Sequence, residues 1–344
     1  MKSRRDDTWR KLSKRRQLFI IFAFVIVVVL LMSAIYMVAR SIETRNKPEE
    51  PFGNLDNRFA DVPTINFGGE SYRLKKRMTN LLLLGVDTWV ANTTNVSDFR
   101  NAGQSDFLLL LLIDHETKTI TPLQIDRDVM TNVTMLSVFR EYAGVRKLQI
   151  CLSHGFGDGK ERSSDLTAKA VSELLLDIPI DFHVSMKLDG ISTLNDALGG
   201  VKVTLEDDFT SLDPAMKSGS TLTLRGVQAE YYARQRMSIG VGTNASRMVR
   251  QQIYIDGLTD LLDAQLQRDA NIIGTLFDEL QSYLVTNMPR GRMINEAANT
   301  REYTRGETVQ LEGEHTLGKN GFIEFHADPQ ALTELILRLC YDKI

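Results

Sequence analysis

Asp87, Asp106 and Asp128 stand at the ends of apolar runs, where a carboxylate can reach solvent or a ligand. Asp87 closes "LLLLGVD", Asp106 opens "DFLLLLLI", and Asp128 follows Arg127 in "QIDRDVM". Carboxylates gathered at one sheet edge raise one another's pKa unless something positive lies among them. Arg127, a hard cation, or both would answer that need. Oxygen-only ligands favour Mg²⁺, which takes one or two carboxylates and shares substrate phosphates. The competing reading is a set of loop-capping acids with one salt bridge to Arg127, in which Asp87 simply caps a turn.

The stretch "YYARQRMSIGVGTNASRMVRQQIYIDGL" supplies the complementary charge. Arg234 and Arg236 close one helix, a Gly-rich loop follows, and Arg247 and Arg250 lie in the first turns of the next helix, with Asn244 as its expected cap. A helix N-terminus carries about half a positive charge and free N–H groups, so arginines there ask for an anion, and phosphate suits them. Met248, Ile255, Leu258 and Leu262 define an inward stripe, and its continuation reaches Arg247, Arg250 and Gln251. The guanidinium groups then point into a cleft, where their fork matches phosphoryl oxygens. Snorkelling arginines paired with Asp or Glu are the alternative.

Positioning these groups requires an alternating α/β pattern. Strands are expected at 81–86, 107–113 and 119–125, the last two joined as a hairpin through "DHETK". If 81–86 runs antiparallel to its successor, Asp87, Asp106, Arg127 and Asp128 share one rim. A helix over 164–176 opens on Ser and Asp at the cap. "FHVSMKL" and "VKVTL" read as strands around a short helix in "DGISTLNDALGG". "RGVQAEYYARQR" and "ASRMVRQQIYIDGLTDLLDAQL" complete the core as helices. Beyond residue 271 the pattern gives a helix in "IIGTLFDELQSYL", candidate strands in "ETVQLEGE" and "GFIEFHA", and a closing amphipathic helix in "PQALTELILRLCYDKI".

The chain has 344 residues, 43% hydrophobic and 25% charged, with net charge −3, which excludes disorder and argues against a nucleic-acid partner. Charge is unevenly placed. Residues 1–17 form a basic tail, and residues 18–39 carry no charged side chain. A helix of that length spans a hydrocarbon core of about 30 Å, so 18–39 reads as an uncleaved transmembrane anchor. A cleaved signal peptide is the alternative, with a shorter apolar region and a small-residue cleavage site. The basic flank keeps the N-terminus cytoplasmic and sends the remainder outside the cell. Residues 40–77, rich in charge, Pro and Gly, read as a stalk. The main body is expected over 78–265, with 266–344 packing on it. Cys151 and Cys340 leave one bridge possible, beside the alternative of two separate buried thiols.

The ordered set "LLLLGVD", "QSDFLLLLLID", "IDRD", "DALGGVKVTL", "LRGVQAEYYARQR" and "SRMVRQQ" resembles the LytR-CpsA-Psr family of envelope proteins over roughly residues 78–265. The resemblance implies an α/β/α sandwich with a mixed central sheet, binding a polyprenyl pyrophosphate with its tail in an apolar groove. It implies transfer of phospho-linked glycopolymers from that lipid carrier to peptidoglycan, with Mg²⁺. By this resemblance Asp87 and Asp106 hold the metal, Arg127, Arg234, Arg236 and Arg247 grip the pyrophosphate, and Asp128 orients Arg127 or assists the metal. Arg250 and Gln251 shape the same wall. The chain departs from the pattern at Gln104, where an arginine is usual and Arg100 is a possible replacement. It departs also at Asp126, usually proline, and at Asn244, usually an acid.

Two function classes follow: a magnesium-dependent phosphotransferase, or a non-catalytic lipid-pyrophosphate binder that regulates envelope machinery. A transcriptional regulator conflicts with the expected topology. In the enzyme, Asp87 or Asp106 would accept the proton of the attacking hydroxyl.

Overall fold

The computed structural model describes residues 64–87, 102–137, 139, 141–235, 239–240, 242–269 and 271–344. The basic tail, the segment 18–39, most of the expected stalk, Arg100 and Arg236 lie outside the described residues. Among the described residues no helix is long and apolar enough to cross a membrane.

In chain order the elements are β1 (Ile65–Phe67), β2 (Glu70–Leu74), β3 (Met78–Asp87), β4 (Gln104–Asp114), β5 (Thr119–Ile125), β6 (Met130–Leu136), β7 (Tyr142–Gln149), α1 (Glu161–Leu174), β8 (Phe182–Lys187), α2 (Gly190–Ala197), β9 (Lys202–Thr204) and β10 (Thr221–Thr223). There follow α3 (Val227–Arg234), α4 (Asn244–Arg268), α5 (Ile272–Leu280), β11 (Leu284–Thr286), α6 (Arg290–Thr300), β12 (Thr304–Arg305), β13 (Val309–Gln310), β14 (Gly313–Leu317), β15 (Ile323–Ala327), α7 (Pro329–Cys340) and β16 (Tyr341–Lys343).

The central sheet is mixed, in the order β11-β8-β3-β4-β5-β12, with β13 also on β5. β3 and β4 are antiparallel, β4 and β5 form the expected hairpin, and β8 joins β3 in parallel. Alternation along β3 sorts its leucines. Leu82 and Leu84 join Leu108, Leu110, Leu112 and Leu123 in a core covered by Ala168 and Val171 of α1 and by Ile336 and Leu337 of α7. Leu81, Leu83 and Gly85 face the other side, toward α4 and α5. Truncating a fully buried leucine such as Leu110 to alanine costs about 2–5 kcal/mol, whereas an exposed ion pair such as Arg290–Asp278 is screened by water and adds little. Apolar burial therefore holds the scaffold, and the charges are left for the site.

Several expectations are corrected. Residues 65–74, read as stalk, form β1 and β2, and β2 pairs with β16 at the chain's end. The pairing is with a partner far away in sequence, so local composition does not announce it. The hairpin β6–β7 was not expected; β7 is mostly exposed and lacks the apolar alternation that signals a strand. α1 begins at Glu161 rather than 164, because Ser163 and Ser164 act from inside its first turn: Ser163 Oγ accepts from Gly159 N at 2.8 Å and Ser164 Oγ donates to Lys160 O. α4 is capped by Thr243, whose hydroxyl accepts from Ser246 N at 3.2 Å, and not by Asn244. Cys151 and Cys340, by contrast, are the two separate buried thiols that the sequence reading allowed, and no bridge joins them.

Candidate active site

An irregularity in the sheet places the central acid. Along β3–β4 the register runs Leu84 to Leu108 and Gly85 to Phe107, then jumps to Val86 opposite Ser105. Asp106 is the extra residue of this β-bulge, which turns its side chain away from the regular alternation. Gly85 makes room: a Cβ there would lie 3.0 Å from Phe107 Cβ. Gly103, at φ +86°, brings the chain back against Asp87, with a Cβ position only 2.7 Å from Asp87 O.

Arg127, in the turn after β5, crosses to that bulge. Its Nη1 donates to Asp106 Oδ1 in a short contact, Nη2 donates to Gln104 Oε1 at 2.6 Å and to Cys151 Sγ at 3.1 Å, and Nε lies 3.4 Å from Asp128 Oδ1. Gln104 thus acts as an acceptor for Arg127, which an arginine in this position could not do. Burial works against Arg127's charge, yet the carboxylates of Asp106 and Asp128 outweigh it and hold the proton more tightly than on a free guanidinium. Burial also pushes the Cys151 thiol up to about 11, against the pull of Arg127. The sulfur is therefore neutral at ordinary pH, and the two carboxylates supply the attraction.

Arg247, 4% exposed in the first turn of α4, stands on the other side of the same acid, its Nη1 3.5 Å from Asp106 Oδ2. Its Nη2 donates to Asn244 Oδ1 at 2.7 Å. A cation at a helix N-terminus opposes the dipole, and these acceptors offset that cost. At the end of α3, where the dipole favours a cation, Arg234 donates to Asp87 Oδ1 at 2.5 Å and to Glu230 Oε1 at 2.7 Å. Burial raises the pKa of Asp87; Arg234 lowers it, and the neighbouring charges of Asp106 and Asp189 add to the rise.

Asp87, Asp106, Arg127, Asp128, Arg234 and Arg247 thus form one linked edge. Arg250 does not face it. Its Nη1 donates to Asp207 at 2.7 Å, its other donors go to the carbonyls of Tyr232 and Gln235, and its guanidinium lies over Phe209. With its fork committed to the protein, Arg250 clamps α3 to α4 and is not a phosphate contact. Gln251 holds Ala233 O at 3.2 Å and lines the adjoining cavity. Asp126 accepts from Asn244 Nδ2 at 2.7 Å and lies 2.8 Å from His315 Nε2; neither Asp126 nor His315 was singled out as functional, and the only sequence signal for Asp126 was its departure from the family pattern.

Among the described residues no group of three or more His, Cys, Asp or Glu is arranged to hold a metal. The pair Asp87 and Asp106 is an oxygen-only set, each close enough to feel the other's charge. That many carboxylates suits Mg²⁺ shared with phosphate oxygens and does not suit an ion caged by protein alone.

Beside the charged edge lies an apolar cavity of about 330 Å³, within the range of roughly 300 to 1,000 Å³ typical of ligand pockets. Leu81, Leu83, Phe107, Met186, Leu258 and Leu262 line it, and so do Gly85 and Ala233, chain neighbours of the site. The arrangement suits an amphiphile with an anionic head and a hydrocarbon tail. Replacing Leu262 with Trp should fill this cavity, weakening binding of a long-chain polyprenyl pyrophosphate by about tenfold while leaving inorganic pyrophosphate binding unchanged. Titration of the variant with both ligands checks this, and equal loss for both would place the tail elsewhere.

The LytR_cpsA_psr family model matches residues 30–339. A polyisoprenyl-teichoic acid--peptidoglycan teichoic acid transferase TagU of Halalkalibacterium halodurans is 26% identical over 243 residues, covering 69% of this chain and 70% of that protein. A crystal structure of a protein from Streptococcus agalactiae matches with a TM-score of 0.60 at 21% identity, over 76% of this chain and 86% of that one. A structure of TagT bound to LIIa-WTA matches with a TM-score of 0.57 at 24% identity, over 77% and 90%. The structural likenesses show a shared mixed α/β fold around a central sheet.

Proposed function

The chain belongs to the LytR-CpsA-Psr family, and from that membership we propose that it transfers a glycopolymer from a polyprenyl-pyrophosphate carrier to peptidoglycan, anchored in the cell membrane by residues 18–39 with its catalytic body outside. In this reading residues 78–265 carry the catalysis, within an α/β/α sandwich, and 266–344 pack against them. The observation that carries the proposal is the meeting of Asp106, Arg127 and Arg247 beside the apolar cavity. One end of that site suits a pyrophosphate and the other a polyprenyl tail. The relative named TagU is a teichoic acid transferase, which supports the same class of reaction here.

A hydroxyl of the acceptor glycan attacks the phosphorus that bears the glycopolymer. A new O–P bond forms, the bond from that phosphorus to the bridging oxygen breaks, and polyprenyl phosphate leaves with the electron pair. Asp87 or Asp106 accepts the hydroxyl proton. Arg127 and Arg247 face the equatorial oxygens and Arg234 the leaving phosphate, so the residues position and neutralise, as phosphoryl transfer requires. Asp87, Asp106 and Asp128 carry as many charges as Arg127, Arg234 and Arg247, which leaves no surplus positive charge for the substrate among these six. Mg²⁺ held by Asp87 and Asp106 would supply charge neutralisation on the phosphate oxygens.

The test is to incubate the purified chain with lipid-linked glycan, peptidoglycan oligomer and Mg²⁺. The expected result is a phosphodiester-linked product with stoichiometric polyprenyl phosphate. Tight lipid binding without any product would leave the chain a non-catalytic binder.

A further inference from the structure

The hairpin β14–β15 brackets the segment Asp126-Arg127-Asp128. His315 Nε2, on β14, lies 2.8 Å from Asp126 Oδ2. Phe325 N, on β15, donates to Asp128 O at 2.9 Å. Gln149 Nε2 joins Asp128 Oδ1 at 3.1 Å to Ile323 O at 2.6 Å. The imidazole of His315 rests on the ring of Phe325, with centroids 4.8 Å apart.

From Asp126, 6% exposed, the bonding continues inward. Its Oδ1 accepts from Asp128 N at 2.8 Å and from Asn244 Nδ2 at 2.7 Å, and Asn244 Oδ1 accepts from Arg247 Nη2 at 2.7 Å. The amide orientation of Asn244 has one solution. A carboxylate only accepts and a guanidinium only donates, so the NH₂ must face Asp126 and the carbonyl must face Arg247. The departures at 126 and 244 are therefore one feature: the acid missing at 244 is present at 126, and Asn244 relays it to the arginine.

We propose that His315 is a positioning residue for Arg247, fixing its guanidinium through Asp126 and Asn244 and making the C-terminal hairpin a working part of the site. The inference rests on the reading of Arg247 as a pyrophosphate contact. His315 donates to one carboxylate oxygen, which stops Asp126 from rotating. Asp126 then holds the Asn244 amide, and the amide holds one arm of the guanidinium in the plane that also meets Asp106. Lost alignment costs ligand affinity, while the fold, supported by the leucine core, is little changed.

The experiment measures the Kd of geranylgeranyl pyrophosphate and the Tm for the full chain in detergent, with His315→Ala, His315→Gln, Asn244→Ala and the double variant H315A/N244A. His315→Ala should weaken binding about fivefold, the worth of one hydrogen bond, with almost unchanged Tm, since the side chain is 40% exposed. His315→Gln should restore binding to within about twofold, because its amide can donate to the same oxygen. The double variant should bind no worse than Asn244→Ala alone, since both changes cut one chain. Additive losses, failure of the Gln variant to recover binding, or wild-type affinity in His315→Ala would overturn the relay. A wild-type chain without measurable affinity would remove the pyrophosphate reading itself and the relay with it.

Discussion

Replacing Arg127 with Ala should lower the rate of glycopolymer transfer by about 10²–10³-fold, the cost of losing one donor aimed at developing charge. It should also destabilise the protein. Arg127 joins Asp106, Gln104, Cys151 and Asp128, and it is 15% exposed. Its removal leaves two poorly hydrated carboxylates without their shared partner, at about 3–5 kcal/mol for a pair broken on one side. Arg127→Lys separates these effects. An ammonium keeps the charge but cannot reach all four partners at once as the planar guanidinium does. The Lys variant should recover most of the melting temperature and little of the rate. Rates normalised to folded protein, with melting curves for both variants, check this. Lowered Tm with full normalised activity would reduce Arg127 to a structural salt bridge.

The reach of Arg127 shows how far the sequence alone carries. The β3–β4–β5 order and its antiparallel sense were legible because β3 and β4 are leucine-rich runs, β5 follows β4 across a short polar turn, and each run ends at a turn signal; the burial of Arg247 followed from helical phase. The bulge at Asp106 was not legible. It depends on a register jump between Gly85 and Val86, and no composition rule marks which residue of a long strand is left over. The commitment of Arg250 to Asp207 and to two carbonyls was equally hidden, since phase says only that a side chain points inward. His315 had no sequence signal at all. Its partner is 189 positions away, and its strand lies in a hairpin with every β14 residue exposed. What the sequence omits is the set of long-range polar pairings, which turn a row of charges into a site with defined orientation.

Asp87 carries the last prediction. Asp87→Asn should abolish magnesium-dependent transfer, because a neutral amide keeps the shape of the side chain but not the charge that holds a hard cation. The same substitution should make the ligand-free protein more stable at pH 7. The reason lies in the balance around Asp87. Burial raises its pKa above 3.8 and the charges of Asp106 and Asp189 add to the rise, while Arg234 only partly offsets them. A folded-state pKa above the unfolded value means that the folded protein binds the proton more tightly. Stability from this group is therefore fully present below pH 3.8 and is lost as pH rises through the folded-state pKa. At pH 7 the charged carboxylate costs stability, and the Asn variant removes that cost. The gain in Tm should fade as pH falls through the folded-state pKa toward 3.8, because wild-type Asp87 then becomes protonated in the folded state and its charge no longer costs stability. Arg234 keeps Glu230 at 2.7 Å and can still donate to the amide oxygen, so the end of α3 is not released. A turn cap behaves in the opposite way: its loss lowers Tm at every pH and leaves transfer intact. Melting curves between pH 4 and 8, together with the Mg²⁺ dependence of transfer for Asp87→Asn and Asp106→Asn, separate the two. Full transfer in both variants would remove these carboxylates from the metal site.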